Sequence, residues 1–436
     1  MNSLNVENTI GINTFFTNFP GIKGKLRFNP EDFCVREISN FPKEDEKGRF
    51  TIAEITVTNW ETNRLIRELS NELHVSRKRI SFAGTKDKRA KSTRLMSFHN
   101  ITKNDLSNLK IKDVVIKKIY SSNRPVKIGD LTGNSFNIII RDIDEDIKES
   151  DISSVFTILK NIGGFPNFYG VQRFGNVRPI THIVGKHIVC GDFEKAAMSY
   201  VANPMLGEDE ETYKVREKLM CSYDFSEALM TYPKHLTFEK AILNKLVVDP
   251  TDFISALKEL PKNLLTMFVY AYQSYLFNKI LSQRIMRKIP LNKAIIGDKI
   301  LPIRRGLIDE EEILVTEKNI EKINKQISLG HAFICGVLFG SDSEFSSGEI
   351  GEIEHKIIDE EKIDLRDFVV PEIPFISSYG SKRALIAPLM NLNYTLRKDS
   401  INKGKLQLNL KFDLNKGCYA TSFLREIMKS DNIRNY

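Results

Sequence analysis

The 436-residue chain is too long for one ordinary core and suits two domains, or one domain carrying a large insertion. With 41% hydrophobic and 28% charged residues it has the composition of a folded soluble protein. No window approaches the roughly 18 uninterrupted apolar residues of a membrane span, so no membrane association is expected. Its 64 Lys and Arg against 56 Asp and Glu give a formal charge of +8, too small an excess for this length to name a partner by itself.

In chain order, Met1–Glu7 has no basic stretch followed by an apolar run, so no secretory leader is expected and the cytoplasm is the expected location. Phe50–Val57 reads as a strand with Ala53, Ile55 and Val57 on one face. Leu65, Ile66, Leu69 and Leu73 follow at helical spacing, with Thr62 as the expected cap. Arg79–Ala83 is a short strand candidate, after which Gly84 allows a sharp turn. Phe136–Ile140 is another, entered from Gly129–Asn134, whose glycines suggest a tight turn or a close backbone approach. Val155, Phe156, Leu159 and Ile162 mark a helix face ended by Gly163 and Gly164.

From about residue 190 to 345 the pattern is mainly helical, with acidic turns at Glu208–Glu211 and Asp309–Glu312. The clearest helix runs from Leu264 to about Ile285. Residues 339–354, rich in Gly, Ser and Glu, read as a loop. Leu406, Leu408, Leu410, Phe412 and Leu414 then alternate as a strand, Gly417 marks a turn, and Tyr419–Lys429 reads as a helix. The pattern predicts an α/β (α+β) domain with a mixed sheet, formed by residues 1–190 and 376–436 and interrupted by a mainly helical insertion over 191–375 with a loop-rich end.

The five cysteines, Cys34, Cys190, Cys221, Cys335 and Cys418, are scattered without a Cys-x-x-Cys pair, so free thiols are expected. His182 and His187 have no third ligand nearby in sequence, so no metal is expected and both read as structural. No coiled-coil-like stripe is apparent, and a monomer is expected.

Residues 85–94 hold Lys86, Lys88, Arg89, Lys91 and Arg94 against a single acid, Asp87. Bases in such a run suit phosphate, whereas a carboxylate there opposes it. Asp87 is therefore either part of an exposed salt-bridged turn or a carboxylate kept ionised by its neighbours for chemistry on an anionic ligand. A second segment, Pro166–Gly175, gathers aromatics, amides, an arginine and glycines. It fits either a buried aromatic turn or a surface that stacks on bases and reads their edges.

At these segments the chain resembles the TruD family of tRNA pseudouridine synthases, especially its archaeal and eukaryotic branch. The likeness is carried, in family order, by Arg27 with Asn29–Glu37, Ser81–Thr93, Gly129–Phe136, Asn167–Gly175, Ala271–Asn278, Gly348–Glu354 and Gly417–Ile427. It implies a pseudouridine synthase catalytic core with a mixed, largely antiparallel sheet and a helical TruD-type insertion. The implied reaction isomerises uridine to pseudouridine without cofactor or metal, at position 13 of tRNA by family default, with other RNAs as further possible substrates. It maps the catalytic aspartate to Asp87, its basic partner to Arg27 in place of a lysine, and the Asn-x-Phe/Tyr pair to Asn167 and Tyr169.

In that reading Asp87 attacks the ribose C1′ or removes a ribose proton to give a glycal, and also accepts the C5 proton. Arg27 holds Asp87, Tyr169 stacks on the uracil, and Asn167 supports the pocket. Glu37 either orients Arg27 or is a strand-end surface residue. Lys86, Lys88, Arg89, Lys91 and Arg94 are the expected contacts to the RNA backbone, and Gln172, Arg173 and Phe174 the expected pocket wall. Tyr272 reads as core, and Ser274 and Asn278 as helix-surface or interdomain residues. The competing expectation is a non-catalytic RNA-binding or RNA-chaperone protein of the same fold.

Overall fold

The computed structural model describes residues 3–304, 307–309 and 311–430. The first two residues of Met1–Glu7 and Glu310 of the acidic turn Asp309–Glu312 lie outside them. The described residues form two compact units: one from 17–165 and 387–430, the other from 3–16 and 166–386. The span 191–375, expected as an insertion, lies within the second unit.

The first unit is built on an eight-stranded sheet. Its order is Met390–Lys398, Leu406–Asn415, Leu131–Ile143, Phe33–Ser39, Lys91–His99, Phe50–Thr58 and Val114–Ser122, with Ile80–Phe82 also pairing on Lys91–His99. Within this sheet, as far as its described residues go, the pairing of Phe33–Ser39 with Lys91–His99 is parallel and the others are antiparallel, so the sheet is mixed and largely antiparallel. Gly129 makes its turn at φ +96°, and a Cβ on Gly133 would lie 2.5 Å from the Leu414 carbonyl oxygen. One expected glycine role is thus a turn and the other a close approach between strands. The chain bends at Ala83 on leaving the short strand, while Gly84 itself needs no left-handed backbone and a Cβ there would meet only ordinary contacts.

The helix Thr62–Glu72 buries Leu65, Ile66 and Leu69 as its spacing predicts. Its cap, however, is Glu61, whose carboxylate accepts from the Asn63 and Arg64 amides. Thr62 does not cap because its hydroxyl is buried and accepts instead from Arg94 Nη1 at 2.9 Å and Lys86 N at 3.2 Å.

A buried arginine fastens the lead-in to the sheet. Arg141 grips Asp32 with both arms, Nε–Oδ2 at 2.9 Å and Nη2–Oδ1 at 2.7 Å, and donates to Asp399 at 3.0 Å and Gln407 at 2.9 Å. Burial alone would favour the neutral acid at Asp399. Hydrogen bonds from the Ile401 and Asp142 amides and from Asn402 outweigh it and hold the group well below the usual carboxylate range. Asp32 in turn accepts the Asn29 amide, closing the turn Asn29–Asp32 before the strand Phe33–Ser39.

The second unit holds the helices Thr181–Val189, Phe193–Ala202, Glu210–Ser222, Phe225–Thr231, Thr237–Val248, Phe253–Lys258 and Lys262–Met286. Residues 299–384 depart from the expectation of a mainly helical middle. Ile313–Leu314, Lys299–Arg304, Ala332–Leu338 and Ser381–Ala384 form a sheet in that order, with Leu307–Ile308 added to Lys299–Arg304. Ala332–Leu338 is buried on nearly every residue, so it lacks the alternation that exposes a strand to pattern reading. The expected loop over 339–354 also ends early. Gly348–Glu361 is helical because Ile350, Ile353, Ile357 and Ile358 recur at helical spacing and pack into the core.

The turn Glu208–Glu211 is divided in its use. Asp209 caps the helix Glu210–Ser222 by accepting the Thr212 amide, while Glu208 is buried against Arg216 Nε at 2.9 Å. Tyr272 is fully buried, as expected of core. The helix Thr181–Val189 lies against Lys262–Met286 so closely that a Cβ on Gly185 would sit 2.0 Å from the Phe268 carbonyl oxygen. Replacing Gly185 by Ala is expected to destabilise the fold by about 3 kcal/mol through overpacking, read as a lower urea midpoint.

His182 is 5% exposed, stacked on Tyr275 with ring centroids 4.9 Å apart and edge-on to Phe174 at 5.2 Å. Burial pushes its pKa down to about 4, against a smaller upward pull from the Thr9 backbone. The unfolded chain therefore binds a proton that the fold refuses between the ordinary value of about 6.5 and about 4. The contribution is complete above that window and is lost as pH falls through it. His182→Phe should remove about 3 kcal/mol of this acid sensitivity, so that its stability falls less than wild type between pH 7 and pH 4. Equal pH slopes in urea titrations of the two proteins would contradict the assignment.

Candidate active site

The meeting of Arg27 and Asp87, 60 positions apart, follows from the parallel pairing of Phe33–Ser39 with Lys91–His99. Cys34 pairs with Lys91, Val35 with Ser92 and Arg36 with Thr93, so the segments entering both strands emerge at the same end of the sheet. Arg27 lies on one of them and Asp87 on the other. Arg27 Nη2 donates to Asp87 Oδ2 at 2.7 Å, with the arginine side chain 14% exposed and the aspartate 52%.

Arg27 adopts φ +54°, a left-handed conformation that non-glycine residues rarely hold without support. The support is visible on both sides. Lys25 bridges to Arg141 through paired backbone hydrogen bonds of 2.8 and 3.0 Å, and the Arg141–Asp32 pair fixes the chain beyond. The guanidinium lies over the Phe33 ring at 4.2 Å. Burial lowers the Arg27 pKa from its usual value, Asp87 opposes that shift, and nearby Arg89 adds to it.

The bases around Asp87 divide into two classes. Lys88, Arg89 and Lys91 are exposed, and Arg89 reaches the Phe28 carbonyl at 3.5 Å. Lys86 and Arg94 are not surface cations. Lys86 Nζ donates to Glu37 Oε1 at 2.6 Å, with 7% and 1% of these side chains exposed. Arg94 is buried and donates to Thr62 Oγ1 and Ser92 Oγ, each at 2.9 Å. Both residues, expected as contacts to the RNA backbone, are thus placed against interior partners, Arg94 from the middle of the strand Lys91–His99 and Lys86 from the loop before it. Glu37 is likewise buried, and it accepts from Lys86 and from the Leu95 amide at 3.4 Å.

The second unit assembles Asn167 and Tyr169 around a residue the sequence reading missed. Arg383 donates Nη2 to Asn167 Oδ1 at 2.6 Å and Nε to the Asn167 carbonyl at 3.0 Å. Its guanidinium lies 4.0 Å from the centre of the Tyr169 ring. Asn167 also donates Nδ2 to the Ala384 carbonyl at 2.9 Å, so its amide is oriented by the strand Ser381–Ala384. The available sequence signal was a Lys-Arg pair at 382–383 beside an apolar run.

Ser274 and Asn278, expected as helix-surface or interdomain residues, are buried on Lys262–Met286. Asn278 accepts the Tyr169 amide at 2.9 Å and donates to the Tyr169 and Ile10 carbonyls, each at 3.0 Å. Ser274 accepts from Arg173 Nε at 3.2 Å, which also brings Arg173 within 5.7 Å of the Tyr169 ring. Gln172 is half-buried. Phe174 is fully buried beside His182, so it packs the interior of its unit instead of forming an exposed wall.

Among the described residues, no group of three His, Cys, Asp or Glu side chains is arranged to hold a metal ion. No helix among them is long and apolar enough to cross a membrane.

A family model described as tRNA pseudouridine synthase D (TruD) matches residues 9–427. A relative from Methanococcoides burtonii, described as "Probable tRNA pseudouridine synthase D", is 43% identical over 99% of this chain and 98% of its own length. One from Methanosarcina acetivorans with the same description is 44% identical, covering 98% of both chains. The fold is also similar to a crystal structure from Methanosarcina mazei that carries a provisional tRNA pseudouridine synthase D description, with TM-score 0.88, 41% identity and 98% coverage of each chain. With a family match across nearly its whole length, the chain belongs to the TruD family of tRNA pseudouridine synthases.

Proposed function

We propose that this enzyme isomerises uridine to pseudouridine at position 13 of tRNA, using Asp87 as the essential carboxylate and no cofactor. The single observation that carries the assignment is the 2.7 Å pair between Arg27 and a half-exposed Asp87, presented from the segments that lead into two adjacent parallel strands. A carboxylate held from one side by a cation and open to solvent suits reaction with a bound nucleotide. Position 13 is taken from the family's usual target. Arg27 in place of a lysine, together with the archaeal relatives, supports the archaeal and eukaryotic branch. A monomer acting in the cytoplasm, with tRNA as partner and other RNAs as further substrates, is proposed with it.

The reaction is an isomerisation, so atoms balance without a co-reactant. The N1–C1′ bond breaks, the uracil turns, C5 joins C1′, and the C5 proton leaves while N1 gains one. The target base must leave its stack, at a cost of a few kcal/mol. Asp87 then serves either by attack on C1′ or by removing a ribose proton, and afterwards accepts the proton from C5. Tyr169 is proposed to meet the uracil ring, with Asn167 as its hydrogen-bonded support. Exposed Lys88, Arg89 and Lys91 are proposed to meet RNA phosphates, each adding a salt-dependent increment to affinity.

Incubating unmodified tRNA with the protein and mapping pseudouridine at single-nucleotide resolution tests the function. Modification at position 13 is expected, and tRNA binding without pseudouridine would leave only the RNA-binding reading. Arg27→Met is expected to slow the reaction roughly a hundredfold, and Arg27→Lys less, because it keeps the charge and loses the planar contact with Phe33. Equal rates for all three proteins would remove Arg27 from the mechanism. At the other position, Tyr169→Phe should stay near the wild-type rate while Tyr169→Leu loses roughly tenfold or more, measured as single-turnover pseudouridine formation.

A further inference from the structure

We infer that the buried ion pair between Glu37 and Lys86 is a positioning device for the Asp87 carboxylate. The inference rests on the reading of Asp87 as the reacting group, and it gives both residues a role different from RNA contact or support of Arg27.

Lys86 is the residue immediately before Asp87 and is held at two points. Its Nζ donates to Glu37 Oε1 at 2.6 Å, and its backbone N–H donates to Thr62 Oγ1 at 3.2 Å. Neither anchor is loose. Glu37 is in the strand Phe33–Ser39, with its side chain 1% exposed and its second oxygen 3.4 Å from the Leu95 amide. Thr62 opens a helix and has its hydroxyl engaged by buried Arg94 at 2.9 Å.

The two ties between the same segments run in opposite charge order. Arg27 meets Asp87 on the exposed side, and Glu37 meets Lys86 on the buried side. With Lys86 drawn inward, the next side chain is directed outward toward Arg27. Both members of the proposed catalytic pair are thereby referenced to Phe33–Ser39, one through the chain preceding it and the other through Glu37.

Stability alone gives little reason for this arrangement. Burying a carboxylate and an ammonium is costly, and an apolar pair of similar volume commonly serves a fold as well or better. Burial indeed lowers the Lys86 pKa from its usual value, with Glu37 as the main opposing pull. What an apolar pair cannot supply is a directional contact that sets the backbone one peptide before the reacting group.

The test compares wild type, the double variant Glu37→Met/Lys86→Met, the milder Glu37→Gln and Asp87→Asn. It measures thermal midpoint, tRNA dissociation constant and single-turnover pseudouridine formation. The double variant should melt within a few degrees of wild type and bind tRNA within about twofold, yet react roughly tenfold to a hundredfold more slowly. Glu37→Gln, which keeps the shape and the acceptor, should show the same split with roughly a tenfold slower step, and it decides the matter if the double variant folds poorly. Wild-type rates in both variants would overturn the inference, as would a loss confined to tRNA affinity, which would mark Lys86 as a phosphate contact. Full activity in Asp87→Asn would remove the reading of Asp87 itself. An inactive Asp87→Asn beside fully active pair variants would remove the positioning role alone.

Discussion

The parallel pairing of Phe33–Ser39 with Lys91–His99 is the constraint on which the proposed chemistry depends. In an otherwise antiparallel sheet, neighbouring strands are entered from opposite ends, and residues preceding them are kept apart. One parallel pair brings two strand entrances together and lets a segment near residue 27 meet a segment near residue 87. The remaining features of this edge hold those entrances in place. Arg141 clamps the turn containing Asp32, Lys25 bridges to the Arg141 backbone, and Thr62 takes the Lys86 amide.

That arrangement resolves the charge pattern around Asp87 into separate tasks. A run of six bases and acids that reads as one surface patch is partitioned by burial: Lys86 and Arg94 turn inward, Asp87 pairs with Arg27, and Lys88, Arg89 and Lys91 stay in solvent. Within this run the cations open to solvent are Lys88, Arg89 and Lys91. In the second unit a similar economy surrounds Tyr169. Arg383 and Asn278 hold the backbone and ring, and the amide of Asn167 is oriented by hydrogen bonds at both ends.

Elements with a clean period were legible from the residues. The strands Phe50–Thr58 and Leu406–Asn415 and the helices Thr62–Glu72 and Lys262–Met286 all follow their apolar spacing. Ala332–Leu338 was not, because a strand buried on almost every residue shows no alternation. Composition misled over residues 348–354, where Gly and Glu hid the isoleucine spacing of a helix. At the site, residue types pointed to Asp87, and the resemblance supplied Arg27, Asn167 and Tyr169. Which bases are buried was not readable, since Lys86 and Lys88 differ only in the direction their side chains take from a loop. Arg383 was missed for a related reason: Asn167 and Tyr169, which it holds, lie more than 200 positions away in sequence.

The most direct measurement of the central claim is release of tritium from C5 of uridine-labelled tRNA under single-turnover conditions, comparing wild type with Asp87→Asn at equal occupancy. The account predicts release by wild type in step with pseudouridine formation, and none by Asp87→Asn despite unchanged tRNA affinity. Tritium release by Asp87→Asn at the wild-type rate would contradict it.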